Sequence, residues 1–251
     1  MTLVLTPLPG LPLVQPGDDL AALVEAGLAR AGLILQDGDI LVLAQKIVSK
    51  AEGRMVSLAD VTPGPRATVL AEETQKDPRL VELILRESRE VVRHRLGLIV
   101  VEHRLGFVCA NAGIDHSNVA EGDDQYLLLP EDPDGSAARL RATLEAASGA
   151  RLGIAIIDSH GRAWRTGTAG VTIGLSGLPG LVDLRGREDL FGYELQFSEV
   201  GAADELAAAA SLVMGQAAEG TPVVHVRGFP YPLREAALPE LLREKERDMF
   251  R

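Results

Sequence analysis

The chain has a single cysteine, Cys109, and cannot close an internal disulfide. Nothing in it therefore depends on an oxidising compartment. That thiol lies in the apolar run Leu105 to Ala110 and reads as core. No apolar run approaches the ~20 residues of a membrane span. The first residues, Met1 to Pro7, lack the basic start of a signal peptide, so a soluble cytoplasmic protein with no membrane partner is expected. Basic residues are few beside acidic ones, 25 against 36, for a net charge of −11. That balance excludes a broad nucleic-acid surface, which needs clustered Lys and Arg, but not a local anion site. Gly-x-x-x-x-Gly-Lys-Ser/Thr, Gly-x-Gly-x-x-Gly and Gly-x-Ser-x-Gly motifs are all missing. The five histidines show no zinc-ligand spacing.

What remains is 251 residues of ordinary globular composition, 46% hydrophobic and 24% charged. Leu3 to Val14 reads as an edge strand and a proline-rich loop. Gly17-Asp18-Asp19 opens a helix with Leu20, Leu23, Val24 and Leu28 on one face, closed by Gly32. Asp39 to Ala44 and Leu152 to Ile157 are continuous apolar runs, hence buried strands. Pro78 to Arg95 reads as one amphipathic helix. Leu98 to Glu102 and Leu105 to Ala110 read as a hairpin. An acidic connection from Glu121 leads to a helix over Ser136 to Ala147. The glycines of residues 161–192 predict loops and short strands. Ala203 to Ala218 reads as a helix, Pro222 to Arg227 as a strand, and Arg243 to Arg251 as a charged terminal helix. With no regular βαβ period, the expected class is α+β, with mixed and antiparallel sheets and flanking helices.

Chemistry concentrates at strand ends. Asn111 to Asn118 follows an apolar strand, and five of its eight residues are polar. Asp115 offers oxygen to a hard cation, Gly113 permits the turn, and Asn118 suits a base or phosphate. The competing reading is an Asx-rich turn. Asp158 ends a buried strand and leads into Ser159. Two carboxylates from separate strands can converge on one divalent cation, with substrate phosphates completing the shell; equally, Asp158 can cap a turn. Lys50 follows another buried strand and suits a phosphate, or else a solvated basic turn. Gly215 marks either close approach of a ligand or helix packing. His116 and His160 each follow an aspartate-bearing strand end and read either as catalytic groups or as loop histidines touching solvent.

In this order the segments resemble the coenzyme F420-0:γ-glutamyl ligase family. The resemblance rests on Gly10 to Val14 with Pro16 to Asp19, Gly38 to Val42 running into Ile47 to Arg54, and Asn111 to Asp115 with Ser117-Asn118. It continues through Asp158-Ser159 with Gly161-Arg162 and Trp164-Arg165, Ala203 to Ala207, Val213 to Gln216, Pro222 to Val224 and Arg227-Gly228. The family implies a single ligase unit over residues 1–251, of two interleaved subdomains, in an intertwined homodimer. No C-terminal flavin reductase domain is expected. It also implies GTP as cosubstrate, two Mg²⁺ or Mn²⁺ ions, and K⁺.

Carried over by motif, Leu11, Pro12, Leu13, Val14, Gln45, Lys50, Asn118, Met214 and Gly215 contact the nucleotide. Asp115 and Asp158 hold a metal, Ser159 a second one, with Gln216 beside it. Gln45 stands where serine is frequent, Ser159 where threonine is usual, and His160 where an aromatic is common. The implied reaction joins L-glutamate to the carboxylate of the deazaflavin acceptor F420-0, with further γ-linked additions possible. It passes through an acyl phosphate, with no protein nucleophile. A ligase acting on a folate- or pterin-like acid is the alternative enzyme, and a nucleotide-binding regulator the alternative outside catalysis.

Overall fold

The structure is a computed structural model that describes residues 2–119 and 124–249. Strand β1 (Val4–Pro7) precedes a loop and helix α1 (Leu20–Arg30). The Asp19 carboxylate caps that helix, accepting from the Ala21 and Ala22 amides at 2.9 and 3.2 Å. Strand β2 (Ile40–Ala44) runs without a linker into α2 (Gln45–Ala51). An excursion follows: β3 (Met55–Ser57), α3 (Pro65–Thr74), α4 (Pro78–Arg86), β4 (Ser88–Arg95), β5 (Leu98–His103), β6 (Val108–Ala110) and β7 (Gln125–Leu127). Helix α5 (Pro133–Ser148) returns the chain to β8 (Gly153–Arg162) and β9 (Arg165–Ser176). The short strands β10 (Val182–Asp183) and β11 (Glu199–Val200), α6 (Ala202–Met214) and β12 (Val223–Arg227) complete the order.

The central sheet runs β1-β12-β2-β8-β9. All its pairings are antiparallel except β2 with β8. Both faces are covered, which explains why β2 and β8 read as continuous apolar runs. Ile40, Leu41, Leu43, Ile154 and Ile156 are essentially inaccessible, and each contributes roughly 1.5–3 kcal/mol of apolar burial. Smaller sheets β3-β7 and β4-β5-β6 lie on the excursion. One buried cluster joins Leu41 and Ile156 of the central sheet to Ile84, Ile99 and Val101 of the excursion. The expected α+β class, with mixed and antiparallel sheets, is what the chain forms. Among the described residues no helix is long and apolar enough to cross a membrane.

Several elements differ from expectation. Pro78 to Arg95 is not one helix: α4 ends at Arg86, and Ser88 onward pairs with β5. The helical apolar period holds only through the first half, after which Val91 and Val92 favour a strand. Helix α3 was not foreseen. Residues 165–176 form a twelve-residue strand despite their glycines. Gly170 and Gly174 are there for close packing: a Cβ at Gly170 would lie 2.5 Å from the Ala207 carbonyl oxygen, and one at Gly174 2.5 Å from Pro133 Cβ.

Helix α6 stops at Met214, because Gly215 takes φ 74°, ψ 176°, a conformation essentially restricted to glycine. The expected terminal helix reduces to a 3₁₀ turn at Lys245–Arg247; Phe250 and Arg251 lie outside the described residues, as do residues 120–123 of the acidic connection. Two ribbons reach into solvent. Gly161 to Thr168, around the β8–β9 turn, is exposed throughout. The segment between β10 and β11 presents Leu190, Phe191 and Phe197, each more than 90% exposed.

Candidate active site

The parallel register pairs Ala44 with Ile157. The next residues, Gln45 and Asp158, therefore stand side by side where β2 gives way to α2; Asp158 does not end its strand as expected, because β8 continues to Arg162 and pairs Asp158 with Val171 of β9. Asp115 arrives from the excursion. Asn111, Ala112 and Gly113 turn with φ of 50°, 55° and 65°, and a Cβ on Gly113 would lie 2.7 Å from Leu129 Cδ1. The Asn111 side-chain oxygen accepts from the Ile99 amide at 3.2 Å. Asp115 then exchanges two backbone hydrogen bonds with Leu127, at 3.0 and 2.8 Å. This pins the carboxylate over the start of α2.

Gln45 Nε2 donates to Asp115 Oδ2 at 2.6 Å, and Lys46 Nζ sits 2.9 Å from the same oxygen. Ser49 Oγ donates to Gln45 Oε1 at 2.8 Å. Burial pushes the Asp115 carboxyl above its ordinary range; Lys46 opposes that and the negative Asp158 adds to it. Burial also acts to raise Asp158, but a 3.0 Å contact with His160 Nε2, with that ring's charge, brings it below the usual carboxylate range. Ser159 Oγ donates to Gln216 Oε1 at 2.8 Å. Gln216 Nε2 is held by Ser211 Oγ at 2.9 Å.

On the next turn of α2, Lys50 Nζ donates to the Asn118 carbonyl at 2.7 Å. Burial and the neighbouring Lys46 both lower its pKa. Asn118, at φ 57°, donates from Nδ2 to the Ala217 carbonyl at 3.0 Å. The segment after α6 is thereby drawn beside α2.

These contacts bring together Gln45, Lys50, Asp115, Asn118, Asp158, Ser159 and Gln216, with Met214 and Gly215 at the adjoining helix end. Gln45 is 1% exposed, with its amide engaged by Asp115 and Ser49, so it lies behind the carboxylate. The Leu11 to Val14 loop is tied to the far end of α2 through the Gly17 amide and Ala51 carbonyl, 2.8 Å apart. Within it Val14 is buried and Leu13 is 84% exposed.

One member escaped the sequence, and a second was seen there without its partner. Lys46 shares a helix face with Lys50 at i, i+4, a spacing that would have marked it. His160 lies two residues from Asp158 on the same strand face, and packs 5.3 Å from the Phe107 ring. His116 has a structural place: its Nδ1 lies 3.0 Å from the Gln125 carbonyl and its ring stacks on Tyr126.

Among the described residues no three His, Cys, Asp or Glu side chains gather as a metal cage. The available donors are two carboxylates, a hydroxyl and an amide oxygen. That all-oxygen set suits a hard cation that keeps open positions for water and phosphate, and not zinc. The Lys46 ammonium already occupies the place of a cation on Asp115, and the mutual repulsion of the two aspartates favours a positive partner.

A sequence model described as F420-0:Gamma-glutamyl ligase matches residues 10–228. The chain is 51% identical over 244 residues to the Coenzyme F420:L-glutamate ligase of Methanothermobacter thermautotrophicus, covering 96% of each chain. It is 47% identical to the protein of that description from Methanopyrus kandleri, over 100% of this chain and 98% of the relative. The corresponding figures for Archaeoglobus fulgidus are 42%, 98% and 95%.

Proposed function

Because the chain belongs to the F420-0:gamma-glutamyl ligase family, we propose that it joins L-glutamate to the carboxylate of F420-0 at the expense of GTP. The observation that carries this reading is the convergence of Asp115 and Asp158 with Lys46 and Lys50 beside the end of β2 and the middle of β8. This grouping has carboxylates for cations and ammonium groups for phosphates, and this reading calls on no nucleophile of the protein.

Lys50 and Lys46 neutralise charge on the GTP phosphates, and the Asn118 amide and the backbone beside Gly215 hold the nucleotide. The apolar Leu11 to Val14 loop bounds its far end. Asp115 and Asp158, with Ser159 and Gln216, would hold Mg²⁺ or Mn²⁺, which would supply charge neutralisation at the phosphates, with K⁺ as the further cation this reading expects. Gln45 keeps Asp115 oriented. The acceptor carboxylate attacks the γ-phosphorus, GDP leaves, and an acyl phosphate forms. The glutamate amine then attacks that carbonyl, an amide bond forms, and inorganic phosphate departs with the proton left to solvent. The residues contribute position and charge, and no covalent enzyme intermediate is needed.

The catalytic unit in this reading is an intertwined homodimer. The exposed Leu190, Phe191 and Phe197 support it, since apolar side chains on a projecting segment are expensive for a monomer. Light scattering should then return about twice 26.7 kDa. The deciding assay follows GDP release with acceptor, glutamate or both, and reads product mass. GDP release that ignores acceptor and glutamate refutes the ligase reading in favour of a nucleotide-binding regulator. Product formed from a folate- or pterin-like acid and not from F420-0 refutes the acceptor.

A further inference from the structure

Beyond Asp158 and Ser159, strand β8 leaves the body of the protein and turns back as β9. Arg162 pairs with Arg165 across a two-residue connection, Ala163-Trp164. This tip is poorly designed for folding alone. Trp164 adopts φ 62°, in the left-handed region that glycine or asparagine fills in such turns. Its indole is 85% exposed. Two arginines stand directly opposite each other, where like charges repel. They do so on a chain whose net charge is −11.

The Arg162 guanidinium donates to the Thr166 carbonyl at 3.3 Å, and an exposed indole on a turn flanked by two arginines suits one kind of ligand, a planar ring that carries negative charge. The same strand places Asp158 at the inner end of the ribbon. Arg162 is four residues farther along, about 13 Å at the rise of an extended strand. Resting on the ligase reading above, we propose that the Arg162-Trp164-Arg165 tip is the acceptor platform. The deazaflavin ring stacks on Trp164, the arginines hold its anionic side arm, and the arm runs inward to present its carboxylate at Asp158. The platform selects acceptors whose ring and reactive carboxylate lie at least ~13 Å apart.

Trp164 is the only tryptophan in the chain, so its fluorescence reports the platform without ambiguity. Titrating the full-length protein with F420-0 should quench that emission saturably, while Mg²⁺ with GTP, or glutamate, should not. Trp164→Asn suits the left-handed backbone and should keep or raise the melting temperature. It should raise the acceptor KM by about ten-fold, the equivalent of a lost stack of ~1.4 kcal/mol, and leave the GTP KM within about two-fold. Trp164→Phe should restore most of the loss.

An unchanged acceptor KM in Trp164→Asn, or no quenching in a protein that turns over, overturns the platform and leaves the ligase reading intact. Acceptor-dependent turnover missing from the wild-type protein overturns the ligase reading and the platform with it. Conversion of a dimer to a monomer by Trp164→Asn assigns the ribbon to a second copy of the chain and also overturns the platform.

Discussion

Replacing Asp115 by asparagine separates the chemistry of this site from its contribution to the fold. Asparagine keeps an oxygen for the Gln45 amide, 2.6 Å away in the native protein, and removes only the charge. The charge stabilises the unliganded fold little. Burial and Asp158 both act against it, and its ion pair with Lys46 is partly solvated, worth at most about 1 kcal/mol. The ligand-free variant should therefore melt within a few degrees of the parent, on the higher side if repulsion outweighs the lost pair.

The liganded state should differ sharply. A ligand at 100 times its Kd stabilises a fold by about 2.7 kcal/mol. For a chain of this size that is a rise of roughly 5–10 °C in Tm. Parent protein with saturating Mg²⁺ and GTP should show such a rise, and Asp115→Asn little of it. Loss of a metal ligand's electrostatic contribution, about 3 kcal/mol, lowers turnover by roughly a hundred-fold or more. The measurements are scanning fluorimetry with and without Mg²⁺ and GTP, and GDP release. Turnover within ten-fold of the parent, together with the same ligand-induced rise, would refute the assignment of Asp115.

Three other outcomes follow from the packing. Gly170→Ala forces a methyl against the Ala207 carbonyl and should cost about 1–3 kcal/mol as overpacking; urea denaturation reads this, and an unchanged midpoint contradicts the close approach of α6. Burial acts to raise Glu87, but the His103 ring 3.7 Å away and the bonds and charges of Arg104 and Arg54, at 3.0 and 3.1 Å, outweigh it and depress the carboxyl to about 2. Its stabilisation is full above pH 4.5 and lost as pH falls toward 2, so Glu87→Gln should lower stability at neutral pH and flatten the acid limb of a pH–stability curve. Burial and the nearby Asp158 push the Cys109 thiol up to about 12, so a thiol reagent at pH 8 should label the native protein only as fast as it opens; rapid stoichiometric labelling would show that Cys109 is accessible.

The site was legible where local chemistry conflicted with local burial. Asp158 stood out because it ends an apolar strand, and Asp115 because polar residues crowd one turn. Lys46 escaped, and the role of His160 stayed open, because their meaning lies in partners. Lys46 matters through Asp115, far away in sequence, and His160 through an aspartate whose direction is known only once the strand extends past it. Likewise the helical period over Pro78 to Arg86 carried on in name only through Ser88 to Arg95, where pairing with β5 decides. The long strand β9 was hidden by glycines that serve the helices above it, a reason invisible until α5 and α6 are in place.

The single parallel pairing has a consequence for how the protein becomes active. Strands β2 and β8 meet across a chain separation of more than one hundred residues, a contact that is slow to form because a long loop must close first. Gln45 and Asp158 become neighbours only through that closure, while Gln216 arrives later still in synthesis. Nascent protein can therefore acquire much of its helix and its local hairpins while lacking any cation-binding competence. In a refolding experiment, recovery of ligand-induced stabilisation should trail recovery of far-ultraviolet circular dichroism, making function a clock for the last long-range step.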